Sequence, residues 1–567
     1  MQNTFREWTR RDADARRPRL RATAAAATLA ALVLFPCFAS SLSPIVTELT
    51  DDGAWCWFSS PAALYRDGTV VTGWVNQCGD IEVASHSVPD SVTSVTILHP
   101  GFEPDDHDNP AFYAASDGRL TAFYSKHARM GTYTMYRTSI HSWSTGAWFG
   151  ISSTGVNTVG YGGATYSNPV AMPGETDRVL LFWRGGNWRP SYSVGTYESS
   201  DATWSWTDAR TLIAVHTGRP YVRYAPSPDG RIAFAFTNGH PSESDAALRF
   251  ALLGTTSGDT LAYFRSDGSL IKLASQGALN PEESEMIYDG SETTSDVLVE
   301  AWVWDAAVDR EGNPVVAFVS FPELTHHRYH WATCRNGEWM STVLVENAGG
   351  TIADTTIGNP QHYYSGGLAL DPHDPNTVYV SRENGVSGWD LEQWKTGDQG
   401  TTWTVRSITE DSTLENVRPV VPLGRPDGMD MVLWMQGSYH YYKNYGGTGV
   451  DYYDTGIMLW VDDPLTGTDG VEVATSLALR PCTPNPTRGV TRITLDLPET
   501  TRVDIAVYDV AGRLVNRLLD DHRLERGART VVWNGTDSTG SRVASGVYFV
   551  RASADGQTAA AKVLVLR

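Results

Sequence analysis

The sequence predicts an all-β protein: a seven-bladed β-propeller followed by a small C-terminal immunoglobulin-like β-sandwich. Aromatic side chains make up 11% of the 567 residues and 52 glycines punctuate them, a composition typical of short strands joined by tight turns. No sustained helical periodicity follows residue 40. The chain is also too long for one ordinary core, which predicts two or more domains.

The propeller is predicted by a strand pattern that recurs along the chain. Each copy is a turn of Asp, Gly or Asn that leads into an alternating apolar run. The seven copies lie at 67–75, 117–125, 176–184, 229–237, 311–319, 374–382 and 428–436. Similar β units at such spacing indicate radial repetition, which leaves only short protected edges, so we expect seven blades over residues 45–465.

One motif supports the propeller directly. TGDQGTTW at 396–403 fits the Asp-box pattern S/T-x-D-x-G-x-T-W, which closes a hairpin in sialidase-type propeller blades. A degenerate copy, SSDATW, lies at 199–204. The Asp and Gly of the motif shape the turn and its Trp packs between strands, so the motif indicates a fold and says little about chemistry.

The N-terminal segment 1–40 is predicted to be a secretory signal peptide. Arginines precede the apolar run at 22–40, and small residues lie near Ala39. A membrane anchor is the alternative, but the run is short for a bilayer and Pro36 interrupts it. We therefore expect a secreted or cell-surface protein with no membrane insertion after signal removal.

The charge of the chain limits its partners. The formal net charge is −21, and loss of the basic leader makes it more negative. Such a surface repels nucleic acid and anionic membranes, so neither is an expected partner. It would also repel an anionic polysaccharide unless a local basic cleft reverses the field. The candidates for such a cleft are Arg184, Arg219, Arg223, Lys126 and protonated histidines.

Cysteine and histidine spacing gives little support for a bound metal. Cys56 and Cys78 flank one predicted hairpin and could pair in an oxidising compartment. The chain has no CxxC motif, so we expect no metal and no other cofactor. The HHRYH run at 326–330 remains the weaker, metal-binding alternative.

The C-terminal region after the linker 466–482 resembles a known module. The matching elements are Asn485–Pro486, YDVAGRLV at 508–515, the Trp533 strand, DSTG at 537–540 and SGVYF at 545–549. As a set they resemble the FlgD-type Ig-like domain, which often acts as a type IX secretion sorting domain. For residues 483–567 the resemblance implies export, with the secretion machinery as a partner, and no catalysis.

The propeller region resembles the BNR-repeat propeller family that includes ulvan lyases. The resemblance is carried by AWCWF, GDIEVASH, DDHDNP, YSKH, TYSNP, FWRGG, RPYVRY, NGHP, YSGG, VYVSR and NVRPV, which together span nearly the whole propeller. It implies a lyase that cleaves an acidic, uronic-acid-containing glycan, sulfated or not, by β-elimination. An anionic polysaccharide is then the expected substrate.

The resemblance also implies a site. In the ulvan-lyase members two histidines, a tyrosine and an arginine line the central cleft, and they match His107, His127, Tyr166 and Arg184. A further aromatic matches Tyr221 or Tyr224, and His240 is a candidate for the cleft rim. Arg184 would neutralise the substrate carboxylate and His107 would act as the base. Tyr166 would protonate the departing O4 or act as base itself, and His127 would bind the carboxylate or orient the sugar.

Other interpretations remain open at the level of sequence. Asp105 and Asp106 also suit a simple turn cap. Arg382 and Arg418 fit anion binding or blade packing equally well. For the whole protein, the alternatives are a sialidase-like glycoside hydrolase, which would need a carboxylate acid and a nucleophile, and a non-catalytic glycan-binding surface propeller.

Overall fold

The computed structural model is all-β and describes two stretches of the chain, residues 45–462 and 477–566. Within them the residues not described are 128–132, 156–162, 173, 216–217, 244–246, 259, 291–298, 357–360, 386–387, 444–451, 480–481, 483–484, 488–490, 498–500, 525–526 and 555. The predicted signal peptide and most of the predicted linker lie outside the described residues. Among the residues described, no helix is both long and apolar enough to cross a bilayer.

The first stretch begins with a single strand, β1 (Ile45–Thr50), and continues as a series of antiparallel sheets. The first sheet contains β2 (Ala63–Arg66), β3 (Thr69–Val75), β4 (Ile81–Ser87) and β5 (Val92–His99). The second contains β6 (Ala111–Ala114), β7 (Leu120–Tyr124), β8 (Met135–Thr138) and β9 (Ser152–Ser153). The third contains β10 (Thr165–Ala171), β11 (Arg178–Arg184), β12 (Pro190–Glu198), β13 (Thr203–Trp206) and β14 (Arg210–Thr211).

The next two sheets repeat this meander. The fourth contains β15 (Tyr221–Pro226), β16 (Ile232–Thr237), β17 (Leu248–Thr255), β18 (Leu261–Phe264), β19 (Leu270–Leu273) and β20 (Glu285–Tyr288). The fifth contains β21 (Ala301–Val308), β22 (Pro314–Glu323), β23 (His326–Arg335) and β24 (Glu338–Val345). Short 3-10 helices occur at Asp106–Asp108, Gly186–Trp188, Ala274–Gln276 and Pro281–Glu283.

The last sheet of this stretch is a double unit. Its first half contains β25 (Leu368–Leu370), β26 (Thr377–Glu383), β27 (Trp389–Lys395) and β28 (Thr404–Ser407). Its second half contains β29 (Glu415–Val420), β30 (Asp430–Tyr439) and β31 (Tyr453–Asp462), completed by β1, which pairs antiparallel with β31. A single parallel bridge between Trp389 and Glu415 joins the halves.

The seven recurring sequence patterns all fall on the same place in these units. Each one forms the second strand of a unit: β3, β7, β11, β16, β22, β26 and β30. Both Asp-box motifs occupy the predicted position, because 199–204 connects β12 to β13 and 396–403 connects β27 to β28. Sequence periodicity alone therefore located one equivalent strand in every unit.

The first strands of successive units contact one another in order. The contacts run from β2 to β6, β10, β15, β21, β25 and β29. Leu423, just after β29, then exchanges backbone hydrogen bonds with Ala63 and Tyr65 of β2. This arrangement is consistent with a propeller-like fold. It places the first strands of successive units next to one another.

The second stretch folds as two antiparallel sheets with a core of its own. One sheet contains β32 (Ala478–Leu479), β33 (Thr491–Leu497) and β36 (Gly527–Trp533), and the other contains β34 (Thr501–Asp509), β35 (Leu514–Leu524), β37 (Gly546–Ala554) and β38 (Gln557–Val565). Buried Ile493, Val503, Ile505 and Trp533 belong to this core. The alternation of buried and exposed residues along β37 is what a small sandwich requires.

Cys56 and Cys78, whose pairing the sequence left open, do not form a disulfide. Both thiols are free, since Cys56 is buried while Cys78 lies exposed in the turn between β3 and β4. The backbone N–H of Cys56 bonds the Asp106 carbonyl oxygen at 3.0 Å, which anchors this residue beneath the DDHDNP turn. Burial raises the pKa of its thiol to about 12.

Candidate active site

The DDHDNP segment forms a buried turn between the first and second sheets. Residues 106–108 make one turn of 3-10 helix, and Asp105 caps it by accepting the N–H of His107 at 3.1 Å. Asp106 donates its backbone N–H to the Tyr442 carbonyl oxygen at 2.9 Å, which ties the turn to the other end of the propeller region. Asp105, Asp106 and Asp108 are all fully buried. The turn-capping role expected of Asp105 and Asp106 is therefore confirmed for Asp105, which also makes other contacts.

Asp105 also binds both candidate histidines. Its Oδ1 lies 2.8 Å from Nδ1 of His107, and its Oδ2 lies 3.0 Å from Nδ1 of His127. The two imidazole rings stack with centroids 3.9 Å apart and planes 9° apart. The sequence-predicted pair is thus brought together by one carboxylate, with each ring bound through the same nitrogen.

The surroundings pull the pKa values of these two histidines apart. Burial lowers the pKa of His107, but the charges of Asp106 and Asp105 outweigh it and the net pKa is raised. Burial and the positive charge of His107 lower the pKa of His127 to about 4. For two unit charges about 4 Å apart, repulsion is on the order of 4 kcal/mol near a protein surface, so a second protonation is strongly opposed. His107 is therefore the ring that holds a second proton more readily, and His127 is neutral at neutral pH.

Asp106 connects His107 to residues of β29 and β30. Its Oδ1 lies 2.8 Å from Nδ1 of His107, while its Oδ2 accepts hydrogen bonds from Nη1 of Arg418 and the hydroxyl of Tyr439, both at 2.6 Å. Arg418 is 1% exposed and its guanidinium lies over the Tyr439 ring at 4.1 Å. The two interpretations of Arg418 were anion binding and blade packing. The structure shows that Arg418 is packed and that it pairs with the carboxylate of Asp106.

Tyr166 stands beside the histidines at the start of β10. Its φ is 63°, and the pairing of β10 with β11 shifts register between Thr165 and Asn168, so a β-bulge sets its direction. Its ring centroid lies 5.4 Å from that of His107. Burial raises the pKa of its phenol well above the ordinary value, although Arg184 opposes this. The phenol is therefore protonated at neutral pH and is suited to donate a proton.

Arg184, at the end of β11, lies among three aromatic rings. Its guanidinium carbon is 4.6 Å from the Tyr166 centroid, 5.0 Å from that of Trp188 and 5.1 Å from that of Tyr221. Arg184 is 6% exposed, its Nε is buried without a hydrogen-bond partner, and no carboxylate in the described part of the chain pairs with it. A buried cation without a counter-ion is costly, so this position favours an anionic ligand.

The remaining predicted substrate-binding residues divide into two groups. Tyr221 lies next to Arg184, and His240 follows it, with ring centroids 5.8 Å apart. Burial lowers the pKa of His240 to about 3, so its imidazole is neutral. Tyr224, on the other face of β15, stacks on Phe182 at 4.1 Å within a different apolar cluster. The structure thus brings Tyr221 and His240 to the site and places Tyr224 in packing between two sheets.

The other basic candidates for a positive cleft are mostly neutralised. Arg219 pairs with Glu243 at 2.8 Å, and Arg223 pairs with Asp305 at 2.6 Å. Arg382 pairs with Glu392 at 2.6 Å. Within the described residues, Arg184 is consequently the buried guanidinium of the site that is left for a ligand.

The HHRYH run serves structure. His327 bonds Ser365 Oγ at 2.6 Å through Nδ1 and the His362 carbonyl oxygen at 3.1 Å through Nε2, while His330 bonds Ser320 Oγ at 2.8 Å. Elsewhere, two described groups place possible metal donor atoms close together, Cys56–Asp106–His107 and Asp105–His107–His127. In the second group both Nδ1 atoms already bond Asp105, so hydrogen bonding accounts for the cluster and we assign no ion to it.

Sequence reasoning missed several residues of this site. Trp188 follows FWRGG in the 3-10 turn, and Asn187 and Trp188 both have positive φ, 54° and 61°, in a strained loop that holds the indole against Arg184. Tyr442 packs edge-on against His107, with centroids 4.9 Å apart. The turn-forming residues Gly185, Gly186 and Asn187 just before Trp188 were a usable sequence signal for it. Nothing local to Tyr442 indicated its role.

Comparison with known proteins agrees with the architecture described above. Residues 71–347 match the BNR repeat-containing family, and residues 483–558 match the FlgD Ig-like domain. Both resemblances predicted from the sequence are therefore confirmed. No curated protein matches the chain in a sequence search.

Two similar solved structures are of a polysaccharide lyase of family PL25, an ulvan lyase. One is bound to -[GlcA(1-4)Rha3S]- and the other is not, and each is 13% identical with a TM-score of 0.52. In both comparisons the alignment covers 73% of this chain and 95% of the other. At this identity the likeness shows a shared fold, a polysaccharide lyase-like fold.

Proposed function

We propose that this protein is a secreted polysaccharide lyase that cleaves an acidic, uronic-acid-containing glycan by β-elimination. The observation that carries the proposal is Arg184, a buried guanidinium with no carboxylate partner among the described residues, beside Tyr166. Arg184 would bind the uronate carboxylate and stabilise the enolate that forms when the C5 proton leaves. The ulvan-lyase neighbours support the same substrate class.

The chemistry needs a base for the C5 proton and an acid for the departing O4. The sequence predicted His107 as base, but the pKa directions favour His127, because its neutral ring offers a lone pair on Nε2. The C5–H electrons would form the C4–C5 double bond as the C4–O4 bond breaks. The protonated phenol of Tyr166 would then donate its proton to O4. His107, as a cation, would help to hold the substrate carboxylate.

A seven-bladed ring would explain why these residues meet. We propose that the five separate sheets and the two halves of the double sheet are seven blades, closed by β1 on β31. The contact of Leu423 with β2 supports closure. In such a ring the starts of the first strands surround one axis, which brings Tyr166 of the third blade and Arg418 of the seventh toward the same turn.

A sialidase-like hydrolase fits the site less well. That chemistry needs a carboxylate acid beside a nucleophile, and three arginines on the substrate carboxylate. Asp105 and Asp106 are fully buried and already bound to histidines, and Arg418 is committed to Asp106. A glycan-binding propeller without activity would share Arg184 and the aromatic rings, so only an assay separates it from a lyase.

The assay is incubation of the mature protein with ulvan and with other uronic-acid glycans. β-Elimination yields unsaturated products that absorb in the ultraviolet as reducing ends appear. Reducing ends without that absorbance would indicate hydrolysis. Binding with neither signal would indicate the glycan-binding propeller. Arg184→Ala should abolish product formation, while Arg219→Ala, which removes an arginine already paired with Glu243, serves as the control.

Export is the second part of the proposal. The signal peptide predicted at 1–40 and the FlgD Ig-like domain favour passage to the cell surface or medium, with the secretion machinery as partner. Fractionation of cells that produce the full chain tests this. We expect the mature protein outside the inner membrane and a cytoplasmic precursor when the arginines and apolar run are deleted.

A further inference from the structure

The arrangement of Asp105, His107 and His127 goes beyond the predicted list of catalytic residues. Asp105 is fully buried, and each of its two oxygens faces the Nδ1 of a different imidazole, at 2.8 Å and 3.0 Å. A buried carboxylate is an acceptor only, so both Nδ1 atoms must carry hydrogen. Nε2 on the far edge of each ring is then the atom left for a substrate, and the described contacts include no protein partner for either one.

The stacking of the rings adds a second constraint. With centroids 3.9 Å apart and nearly parallel planes, two imidazolium rings would repel each other at close range. The buried charges around the two rings also favour one imidazolium over two. Asp105 and Asp106 are two anions, and Arg418 supplies one cation by its pairing with Asp106. One imidazolium balances this buried set, whereas two would leave it with a net positive charge.

We infer that Asp105 is a positioning residue that binds His107 and His127 into one unit, in which both rings keep Nδ1–H and only one Nε2 carries a proton at a time. The proton resides on His107, which touches the carboxylates of both Asp105 and Asp106, whereas Asp105 supplies the one carboxylate that His127 touches in the described contacts. His127 thereby keeps a free Nε2 lone pair directly beside a cation. The unit can accept a proton and hold an anion at once.

Other charged and titratable groups surround the unit. Those that face it or its carboxylates are Arg184, Tyr166, Tyr442, Lys443, Glu103, Asp108, Lys126, Cys56, Arg418 and Tyr439. Lys443 pairs with Glu103 at 2.5 Å and lies 3.6 Å from Asp105. Burial and the charge of Asp105 raise the pKa of Asp108 well above its ordinary value, which favours its protonated form. None of these groups supplies the carboxylate that a second imidazolium would need.

The catalytic meaning of this unit rests on the proposed function, but the unit itself does not. It can be tested on chelator-treated mature protein without substrate, by titrating [15N]histidine-labelled samples in the NMR spectrometer. In the wild type we expect two rings with Nδ1–H throughout, one that loses its Nε2 proton only above the ordinary histidine pKa and one that is protonated on Nε2 only in acid. His107→Ala should raise the pKa of His127, because the neighbouring cation is gone.

A second set of variants guards against a folding defect. Asp105→Asn should shift the titrations of both histidines, since an amide cannot accept from both Nδ1–H groups. Asp106→Asn should lower the pKa of His107 while His127 keeps its Nδ1–H. Asp108→Asn is the matched control in the same turn: it resembles the neutral acid, touches neither ring in the described contacts, and should move neither titration.

Two results overturn the inference. One is two imidazolium rings at neutral pH in the wild type; the other is a His127 titration that His107→Ala and Asp105→Asn both leave unchanged. Failure of the proposed function looks different: the linked titration is present, but no uronic-acid glycan yields unsaturated products. If the protein is a lyase but its two histidines titrate independently, the proposed function stands and the inference about the Asp105–His107–His127 unit is contradicted.

Discussion

Tyr166 combines a strained backbone conformation with a buried phenol, and both suit the role of proton donor. A positive φ costs a bulky residue on the order of 1–3 kcal/mol, and the bulge in β10 stabilises it here. The result is a phenol beside His107, with its pKa raised by burial. Both features suit a proton donor to a leaving oxygen and are unnecessary for a packed strand aromatic.

Tyr166→Phe removes the proposed acid and keeps the ring. We expect kcat to fall about 10²- to 10⁴-fold, the usual contribution of a general acid, while the circular dichroism spectrum and Tm stay near those of the wild type. Tyr197→Phe is the control, because that hydroxyl bonds Asp117 at 3.0 Å in another cluster. Near-normal turnover in Tyr166→Phe would remove this residue from the mechanism.

Arg184→Lys tests whether shape matters beyond charge. Lysine keeps the cation but loses the planar guanidinium that lies among three rings and can bind a carboxylate bidentately. We expect kcat/KM to fall about 10- to 100-fold, the equivalent of one charged hydrogen bond lost. Steady-state kinetics on a uronic-acid glycan give the value, and equal kcat/KM in both proteins would contradict a bidentate contact.

The histidine pKa values predict a pH dependence with a definite sign. The pKa of His127 is lowered to about 4, so its neutral, base-competent form persists down to about pH 4 and is lost below it. The pKa of His107 is raised, so its cationic form is lost only as the pH rises above that raised value. A plot of kcat/KM against pH should be bell-shaped with an acid limb near 4. An acid limb near the ordinary histidine value would contradict the assignment of His127.

At the scale of elements, the local sequence pattern predicted where strands occur. It did not predict which distant residues contact one another in the candidate site. Each of the seven turn-and-strand copies became a second strand, because alternation and turn residues are local properties. His107, His127, Tyr166 and Arg184 were predicted by family resemblance, and the structure brings them together. The Asp106–Arg418 pair spans 312 residues, and no local pattern encodes such a contact. Tyr224 was matched to the cleft by the same resemblance, and strand alternation alone does not reveal which face of β15 turns inward.

The Asp-box between β27 and β28 supports a prediction about stability. Gly400 has a φ of 84°, and a Cβ there would lie 2.9 Å from the Trp331 ring. Gly400→Ala should therefore destabilise the protein by about 1–3 kcal/mol while kcat is unchanged, as thermal unfolding and kinetics would show. Gly397→Ala, in the same motif with open space around it, is the control. Equal Tm values would contradict the structural role given to the motif.

At the scale of the whole molecule, the proposed ring would be closed by β1, which joins the two ends of the first stretch. β1 pairs with β31 from Ile45–Val461 to Thr50–Ile457. A chain that starts at residue 51 should unfold at lower temperature than one that starts at residue 43, because the last sheet loses an edge strand. Identical unfolding curves would argue against closure by this strand.

The central claim is that the region around Arg184 eliminates across C4–C5 of a uronic acid. Ultraviolet absorbance, recorded while the mature protein and its Arg184→Ala variant act on ulvan and other uronic-acid glycans, tests it most directly. We predict rising absorbance with the wild type on at least one such glycan and none with the variant. Chain cleavage by the wild type without any rise in absorbance would contradict the account.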